Sequence, residues 1–235
     1  MKRTDFSDRN DLVATLKKHL VDVIRNAIAE RGQATLALSG GSTPLPLYAE
    51  LANESLDWER VCVALVDERW VNADHPASNE TAIRSALAPA LAAGATLIGM
   101  KNASTSASAG LPDCLQAYDA LRLPFDLVLL GMGEDGHTAS WFPHAAGLDE
   151  ALAKDAPRCA AVIAQQSAVT GANTERMTLT LPAIASARDI VLLITGDSKQ
   201  RVLESAIARP QAVADMPVRA LLAYESAPLD VWWSP

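Results

Sequence analysis

One short segment concentrates residue types that can do chemistry. GMGEDGHTAS, residues 131–140, follows the apolar run FDLVLL and holds three glycines, two carboxylates and a histidine. Histidine is the residue type whose ordinary pKa lies close to neutrality, so His137 is of the type that can take a proton from water. Asp135 is near enough in sequence to fix the loop or the imidazole tautomer, and the glycines let a ligand approach the backbone. We predict that His137 is a catalytic base. A histidine bonded structurally within a loop is the alternative.

A second glycine-containing segment, SGGSTP, spans residues 39–44. Gly40 and Gly41 allow successive backbone N–H groups to point inward as a nest for an anion. Ser42 or Thr43 is expected to cap a following helix, whose N-terminus favours phosphate. A strand-to-helix turn that merely needs glycine would explain the same residues. The segment matches neither a Walker loop nor a dinucleotide-binding Gly-x-Gly-x-x-Gly motif.

Charged residues follow three other apolar runs. In DERW, residues 67–70, Asp67 could take part in proton transfer or orient another group, and Arg69 could bind an anion through two hydrogen bonds. Taken alone, this triplet is more typical of a solvated charge cluster. Arg176 and Lys199 also border predicted strands. Each could bind a phosphate, or could be a surface cation lying over apolar neighbours.

Composition limits the classes of function. The chain has 235 residues, of which 49% are hydrophobic and 20% charged, with a net charge of −8. This charge disfavours nucleic acid, and a small anionic substrate needs basic residues that converge locally. Three scattered cysteines predict reduced thiols in the cytoplasm, without disulfides or a zinc site. The sequence lacks the pattern of a signal peptide or of a membrane helix, so we expect no membrane association.

The hydrophobic pattern predicts apolar strands alternating with amphipathic helices. This pattern is typical of an α/β fold, a mostly parallel sheet with helices on both faces, in a single domain over residues 1–235. The predicted helices cover residues 8–30, 78–92, 112–122 and 197–208, and residues 101–110 are expected to form a surface loop. The predicted strands are ATLAL, VCVALVDERW, ATLIGM, FDLVLLG, RCAAVIA, RMTLTL, DIVLLITG and VRALLAY.

In parallel sheets, ligands bind beyond the carboxyl ends of the strands. The polar segments SGGST, DERW, GMGEDGH and TGDSK all follow predicted strands. We therefore expect them to open onto one crevice.

The ordered motifs resemble those of the glucosamine-6-phosphate isomerase/6-phosphogluconolactonase family. They are SGGSTP (39–44), DER (67–69), SNE (78–80), GMGEDGHTASWFP (131–143), ERMTLT (175–180) and GDSK (196–199). They span most of the chain in the family's order, and GxGxDGHTAS followed by Phe-Pro is the most specific. Arg69 after Asp-Glu, and WFPH where the deaminases of this family have Asn-Glu-Pro, favour the lactonase branch.

The resemblance implies an α/β fold of the deaminase/isomerase type and hydrolysis of 6-phosphoglucono-1,5-lactone to 6-phosphogluconate in the pentose phosphate pathway. It implies no metal and no organic cofactor. The catalytic residues it suggests are His137 as general base, with Asp135, and Asp67 to orient the imidazole or the sugar hydroxyls. One of the cations is an alternative partner of the developing oxyanion. The phosphate would be held by Ser39, Gly40, Gly41, Ser42, Thr43, Arg69, Arg176 and Lys199.

Two other functions are compatible with the same motifs. An isomerase resembling glucosamine-6-phosphate deaminase would need an acid after the histidine loop, and Glu150 is the nearest carboxylate downstream of the WFPH segment. A non-catalytic sugar-phosphate sensor would bind without turnover. In each case the partner is a small phosphorylated sugar, and we expect a monomer or a small homo-oligomer.

Overall fold

The computed structural model describes residues 1–235 and contains ten strands, nine α-helices and a 3-10 helix at Trp58–Arg60. The strands are β1 (Lys2–Asp5), β2 (Ala34–Leu38), β3 (Val61–Leu65), β4 (Asp67–Arg69), β5 (Thr96–Ile98), β6 (Leu127–Gly131), β7 (Cys159–Ile163), β8 (Glu175–Leu179), β9 (Ile190–Thr195) and β10 (Leu229–Ser234). The helices are α1 (Arg9–Arg31), α2 (Leu45–Leu51), α3 (Asn79–Ala86), α4 (Ala88–Ala92), α5 (Ala107–Asp119), α6 (Leu148–Leu152), α7 (Leu181–Ala185), α8 (Asp197–Ala208) and α9 (Val218–Leu222).

The main sheet has seven strands in the order β1-β10-β9-β6-β2-β3-β5, and every neighbouring pair is parallel. All residues of β2 and β3 are buried, so both faces of the sheet are covered at its centre. The buried apolar residues form one cluster of 64 residues. The predicted α/β class with a mostly parallel sheet is confirmed.

A second sheet, β4-β8-β7, is antiparallel and was not foreseen. It arises because the predicted strand VCVALVDERW divides at Val66. The Val66 N–H donates to the Leu38 carbonyl of the main sheet at 3.0 Å, while its own carbonyl accepts from the Leu179 N–H at 2.8 Å. The chain therefore passes from one sheet to the other within one residue, and β4 pairs with β8 in the second sheet.

The prediction of a strand at VRALLAY is wrong. Residues 218–222 form α9, which follows Pro217, whose φ of −64° suits a helix start. Val218 and Leu221 are buried at helical spacing. The last strand of the sheet is instead β10, which pairs with β9 and with β1 at the sheet edge. Neither β1 nor β10 was predicted.

The predicted helices at 8–30 and 197–208 agree with the structure, whereas the helix predicted at 78–92 divides into α3 and α4. The Asp8 side chain accepts from the N–H groups of residues 10 and 11 at the start of α1, and Gly32 ends it with a φ of +79°. α8 has the predicted bounds. α5 begins inside the expected loop at 101–110, because Ser106 caps its first turn by accepting from the Ala109 N–H. No helix combines the length and the apolar character that a membrane span requires.

Candidate active site

A pocket of about 270 Å³ lies at the carboxyl ends of β2, β6 and β9, bordered by β4 and β8. It brings together the segments that were expected to share one crevice. Asp135 is the one predicted site residue that does not line the pocket, because it lies behind the imidazole. The predicted residues that line it are Ser39, Gly40, Gly41, Ser42, Thr43, Asp67, Arg69, His137, Arg176 and Lys199.

The imidazole of His137 is held by Asp135. The distance from His137 Nδ1 to Asp135 Oδ1 is 2.6 Å, and the same oxygen accepts from the His137 backbone N–H at 3.1 Å. Burial raises the pKa of the Asp135 carboxyl, but the hydrogen bond and charge of His137 outweigh burial and lower it. Nε2 of His137 has no hydrogen-bond partner in the protein. The ring can therefore accept a proton at Nε2 on the pocket side.

The loop that carries this pair depends on two glycines. A Cβ at Gly133 would overlap the side chains of both His137 and Asp135. Gly136 has a φ of +76°, and a Cβ there would overlap Met216. The loop is closed by the bond from the Gly133 N–H to the His137 carbonyl, 2.9 Å, and supported by the bond from the Val218 N–H to the Gly136 carbonyl, 2.9 Å. The glycines thus allow the Asp135–His137 contact to form.

The segment after β2 leaves four backbone N–H groups without a partner. The N–H groups of residues 40–43 donate to no acceptor in the protein. Gly41 has a φ of +108°, and a Cβ at Gly40 would overlap the Asn79 side chain, so both positions require glycine. Neither Ser42 nor Thr43 caps α2, contrary to the expectation, because Pro44 occupies the cap position. Four unpaired N–H groups at the pocket wall are suited to an anion.

Asp67 is buried, and its carboxylate is fixed by hydrogen bonds from two other segments. Oδ2 accepts from the Ser140 hydroxyl at 2.6 Å, and Oδ1 accepts from the Asn79 side-chain amide at 3.3 Å. Asn79 also donates to the Asp67 carbonyl at 2.9 Å. Asp67 makes no hydrogen bond with His137. The expectation that Asp67 orients the imidazole is therefore wrong, because Asp135 is the carboxylate bonded to that ring.

Glu68 has a structural role in the start of α3. It is 1% exposed, and it accepts from the N–H groups of Arg69, Asn79 and Glu80 at 2.7–2.8 Å and from the Ser78 hydroxyl at 3.1 Å. Burial raises the pKa of this carboxyl, and the backbone hydrogen bonds partly offset that effect. The interpretation of DERW as a solvated cluster is wrong. Glu68 fixes the position of Asn79, and through it that of Asp67.

Two arginines lie side by side on the second sheet, since Arg69 is paired with Arg176 in the register of β4 and β8. Arg69 donates to the Ala77 carbonyl at 2.7 Å. Arg176 is 3% exposed and donates to the carbonyls of Asn173, at 2.6 Å, and Thr170, at 3.0 Å. Burial lowers the pKa of Arg176 to about 10, although the charge of Asp67 raises it. It remains a cation at neutral pH.

Lys199, in the first turn of α8, completes the basic side of the pocket. Burial lowers its pKa, and the charge of Glu134 partly offsets this effect. The pocket lining contains three cationic side chains and one carboxylate, that of Asp67. The local charge is therefore opposite in sign to the net charge of −8. This is the local convergence of basic residues that a small anionic ligand requires.

Sequence reasoning did not select three residues of the site. Asn79 and Ser140 hold Asp67, and the Phe142 ring stacks on His137 with centroids 4.2 Å apart. A signal was present, because SNE and ASWFP belong to the motifs that were matched. Their partners lie on other elements, however, so the contacts follow only from the fold. Glu150, on α6, is exposed and does not line the pocket.

Together, the fold and the site define an α/β protein whose pocket, at the carboxyl ends of parallel strands, contains a histidine, three cationic side chains and unpaired backbone N–H groups. A protein-family profile described as "Glucosamine-6-phosphate isomerases/6-phosphogluconolactonase" matches residues 7–232. The chain belongs to this family.

Relatives within the family cover the whole chain. A 6-phosphogluconolactonase of Rhizobium meliloti is 40% identical over 98% of this chain and 97% of its own. The crystal structure of a 6-phosphogluconolactonase from Shewanella baltica superposes with a TM-score of 0.92, at 38% identity, over 100% of this chain and 98% of that one. A monomeric glucosamine-6-phosphate deaminase shares the fold, with a TM-score of 0.80 at 20% identity over 100% of this chain and 97% of that one.

Proposed function

We propose that the protein hydrolyses 6-phospho-D-glucono-1,5-lactone to 6-phospho-D-gluconate, the second step of the oxidative pentose phosphate pathway, as one domain over residues 1–235. The observation that carries the proposal is the arrangement of His137, whose Nδ1 is bonded to Asp135 and whose Nε2 is free, in a pocket that also contains the nest and three cations. The full-length similarity to proteins named 6-phosphogluconolactonase supports it.

The phosphate binds to the unpaired N–H groups of residues 40–43 and to cations of the pocket. An anion in this position gains charge-assisted hydrogen bonds from groups that have no competing partner in the protein. Arg176 contributes a guanidinium fixed by two backbone carbonyls, so its orientation is set before the ligand arrives. Asp67, held by Ser140 and Asn79, accepts from sugar hydroxyls.

The reaction requires one proton to move twice. His137 Nε2 takes a proton from water as the oxygen attacks the lactone carbonyl, and a tetrahedral oxyanion forms near the basic side of the pocket. When the bond between the carbonyl carbon and the ring oxygen breaks, the imidazolium returns the proton to the ring oxygen. The products are a free carboxylic acid and a hydroxyl. A positioned base contributes about 10²–10⁴-fold to such a step.

The test is the release of acid from freshly generated 6-phosphogluconolactone, compared with the spontaneous background. We expect acceleration by the wild type, loss of it in His137→Ala, and weak activity on the unphosphorylated lactone. No acceleration over background rejects the proposal. Release of ammonia from glucosamine 6-phosphate would then establish a deaminase, and binding of 6-phosphogluconate without any turnover would establish a sensor.

A further inference from the structure

The aromatic ring of Phe142 is shared by two residues of the site. It stacks on the imidazole of His137, with centroids 4.2 Å apart and planes inclined by 26°. The guanidinium carbon of Arg176 lies over the same ring, 5.2 Å from its centroid. One side chain therefore contacts both the base and a cation of the phosphate side. His137 and Arg176 come from different elements, and no hydrogen bond joins them.

Backbone hydrogen bonds hold the residue that carries this ring, and the preceding indole is anchored in the core. Trp141 is fully buried, and its indole N–H donates to the Leu179 carbonyl at 2.9 Å. The Phe142 N–H donates to the Ser140 carbonyl at 3.1 Å, and its carbonyl accepts from the Ala145 N–H at 3.2 Å. Trp141 fills the core at this position, whereas Phe142, only 4% exposed, forms part of the pocket wall. The two adjacent aromatic residues thus differ in what they contact.

The face of a phenyl ring carries partial negative charge and attracts cations. Arg176 is a cation throughout the reaction, while His137 becomes one only when it has taken the proton from water. The ring face therefore lies against an imidazole that becomes a cation during the reaction, and Asp135 is bonded to Nδ1 of the same imidazole. The other charged groups that face the imidazole across the pocket, or lie beside it, are Asp67, Arg69, Lys199 and Glu134.

We propose that Phe142 is a positioning residue that holds His137 and Arg176 in a fixed mutual geometry and stabilises the imidazolium formed during lactone hydrolysis. This role rests on the proposed function and deepens it. Because the ring contacts both the base and the cation, its electronic character affects turnover and phosphate binding together. A ring that served only to fill space would affect neither through its electronic character.

The test replaces Phe142 by phenylalanines with increasing numbers of ring fluorines, which reduce the negative charge of the ring face with little change in shape. We expect kcat to fall about threefold to tenfold across the series, and KM to rise. The pKa of His137, followed by NMR titration, falls as well, because the imidazolium loses its favourable neighbour. Phe142→Tyr, which retains an unfluorinated ring, keeps most of the activity, and Phe142→Leu behaves like the most fluorinated ring.

Phe125 provides the matched control, because it is 1% exposed and does not line the pocket. The same fluorinated series at Phe125 should leave kcat, KM and the His137 titration unchanged. The proposal is overturned when fluorination at Phe142 changes none of these quantities, or changes them only as much as fluorination at Phe125 does. The His137 titration and the affinity for 6-phosphogluconate, measured by calorimetry, decide the role of the ring even where the wild type fails to hydrolyse the lactone.

Discussion

Two histidine–aspartate pairs of the protein have the same contact distance and lie at opposite ends of the strands of the main sheet. His137 Nδ1 lies 2.6 Å from Asp135, beyond the carboxyl end of β6. His19 Nε2 lies 2.6 Å from Asp189, which directly precedes β9 at the amino end of the strands. Each imidazole is also close to an aromatic ring: His137 to Phe142, with centroids 4.2 Å apart, and His19 to Trp232, at 5.4 Å.

What surrounds the two pairs is different. The groove at His19 contains one cationic side chain, Lys2, which is already paired with Asp230 at 3.1 Å, and a second carboxylate, Asp189. The pocket at His137 has three cations, one carboxylate and four unpaired N–H groups. A histidine–aspartate pair alone therefore does not make a site for an anionic substrate, and the neighbouring charges decide which pair can act on one.

The largest expected effect separates the two histidines directly. His137→Ala should lower kcat on the lactone by about 10²–10⁴-fold, because the general base is lost, while KM changes little. His19→Ala should leave kcat within about twofold of the wild type. Both variants are assayed by acid release after circular dichroism has shown that they fold. Equal losses in the two variants would contradict the assignment of the base.

A smaller effect tests the cations rather than the histidines. Arg176→Ala should raise KM by about tenfold or more with a lesser change in kcat, because a charge-assisted contact to the phosphate is lost. Arg176→Lys retains the charge without the planar fork, so its KM should lie between the two. Lys2→Ala removes the cationic side chain of the groove at His19 and should leave KM unchanged. A KM for Arg176→Ala equal to that of the wild type would move the phosphate contact to Arg69 or Lys199.

The sequence was sufficient to predict the class of fold and ten of the residues that line the pocket, because both depend on local patterns. Buried parallel strands are continuous apolar runs, and the polar segments after them meet at one edge of the sheet. The pattern also predicted that His137 follows a core strand. The pattern could not show that Val218–Leu222 forms helix α9 and that Leu229–Ser234 forms strand β10. Both segments are short and largely apolar, and short apolar runs lack a decisive period.

Contacts between distant segments were beyond the reach of the sequence. Asp67 was placed beside the imidazole or the sugar, yet its partners are Asn79 and Ser140, which the second sheet and α3 bring to it. That sheet depends on Val66, whose N–H and carbonyl serve different sheets. Nothing in the residue type of a valine indicates such a division. The sequence could therefore predict most of the polar residues that line the pocket, but not the partners that fix them.

The smallest expected effect concerns stability and again compares the two pairs. The pKa of Asp135 is lowered in the folded state, so folding favours its ionised form, and this contribution is present above the unfolded pKa of about 3.9. It is lost as the pH falls through the lower, folded value. Asp135→Asn should therefore reduce the free energy of unfolding by about 1 kcal/mol at pH 5, and the deficit should shrink below pH of about 4.

Urea denaturation of the wild type and of Asp135→Asn at several pH values measures this difference, and Asp189→Asn is the matched variant of the other pair. A deficit that stays constant from pH 5 down to the acid limit of folding would show that ionised Asp135 gains nothing specific from His137. A stability deficit of Asp135→Asn that shrinks at low pH would show that folding favours the ionised form of Asp135. An unchanged kcat in Asp189→Asn would show that the other pair, of equal length, takes no part in turnover. The distance between the two side chains then does not by itself determine function.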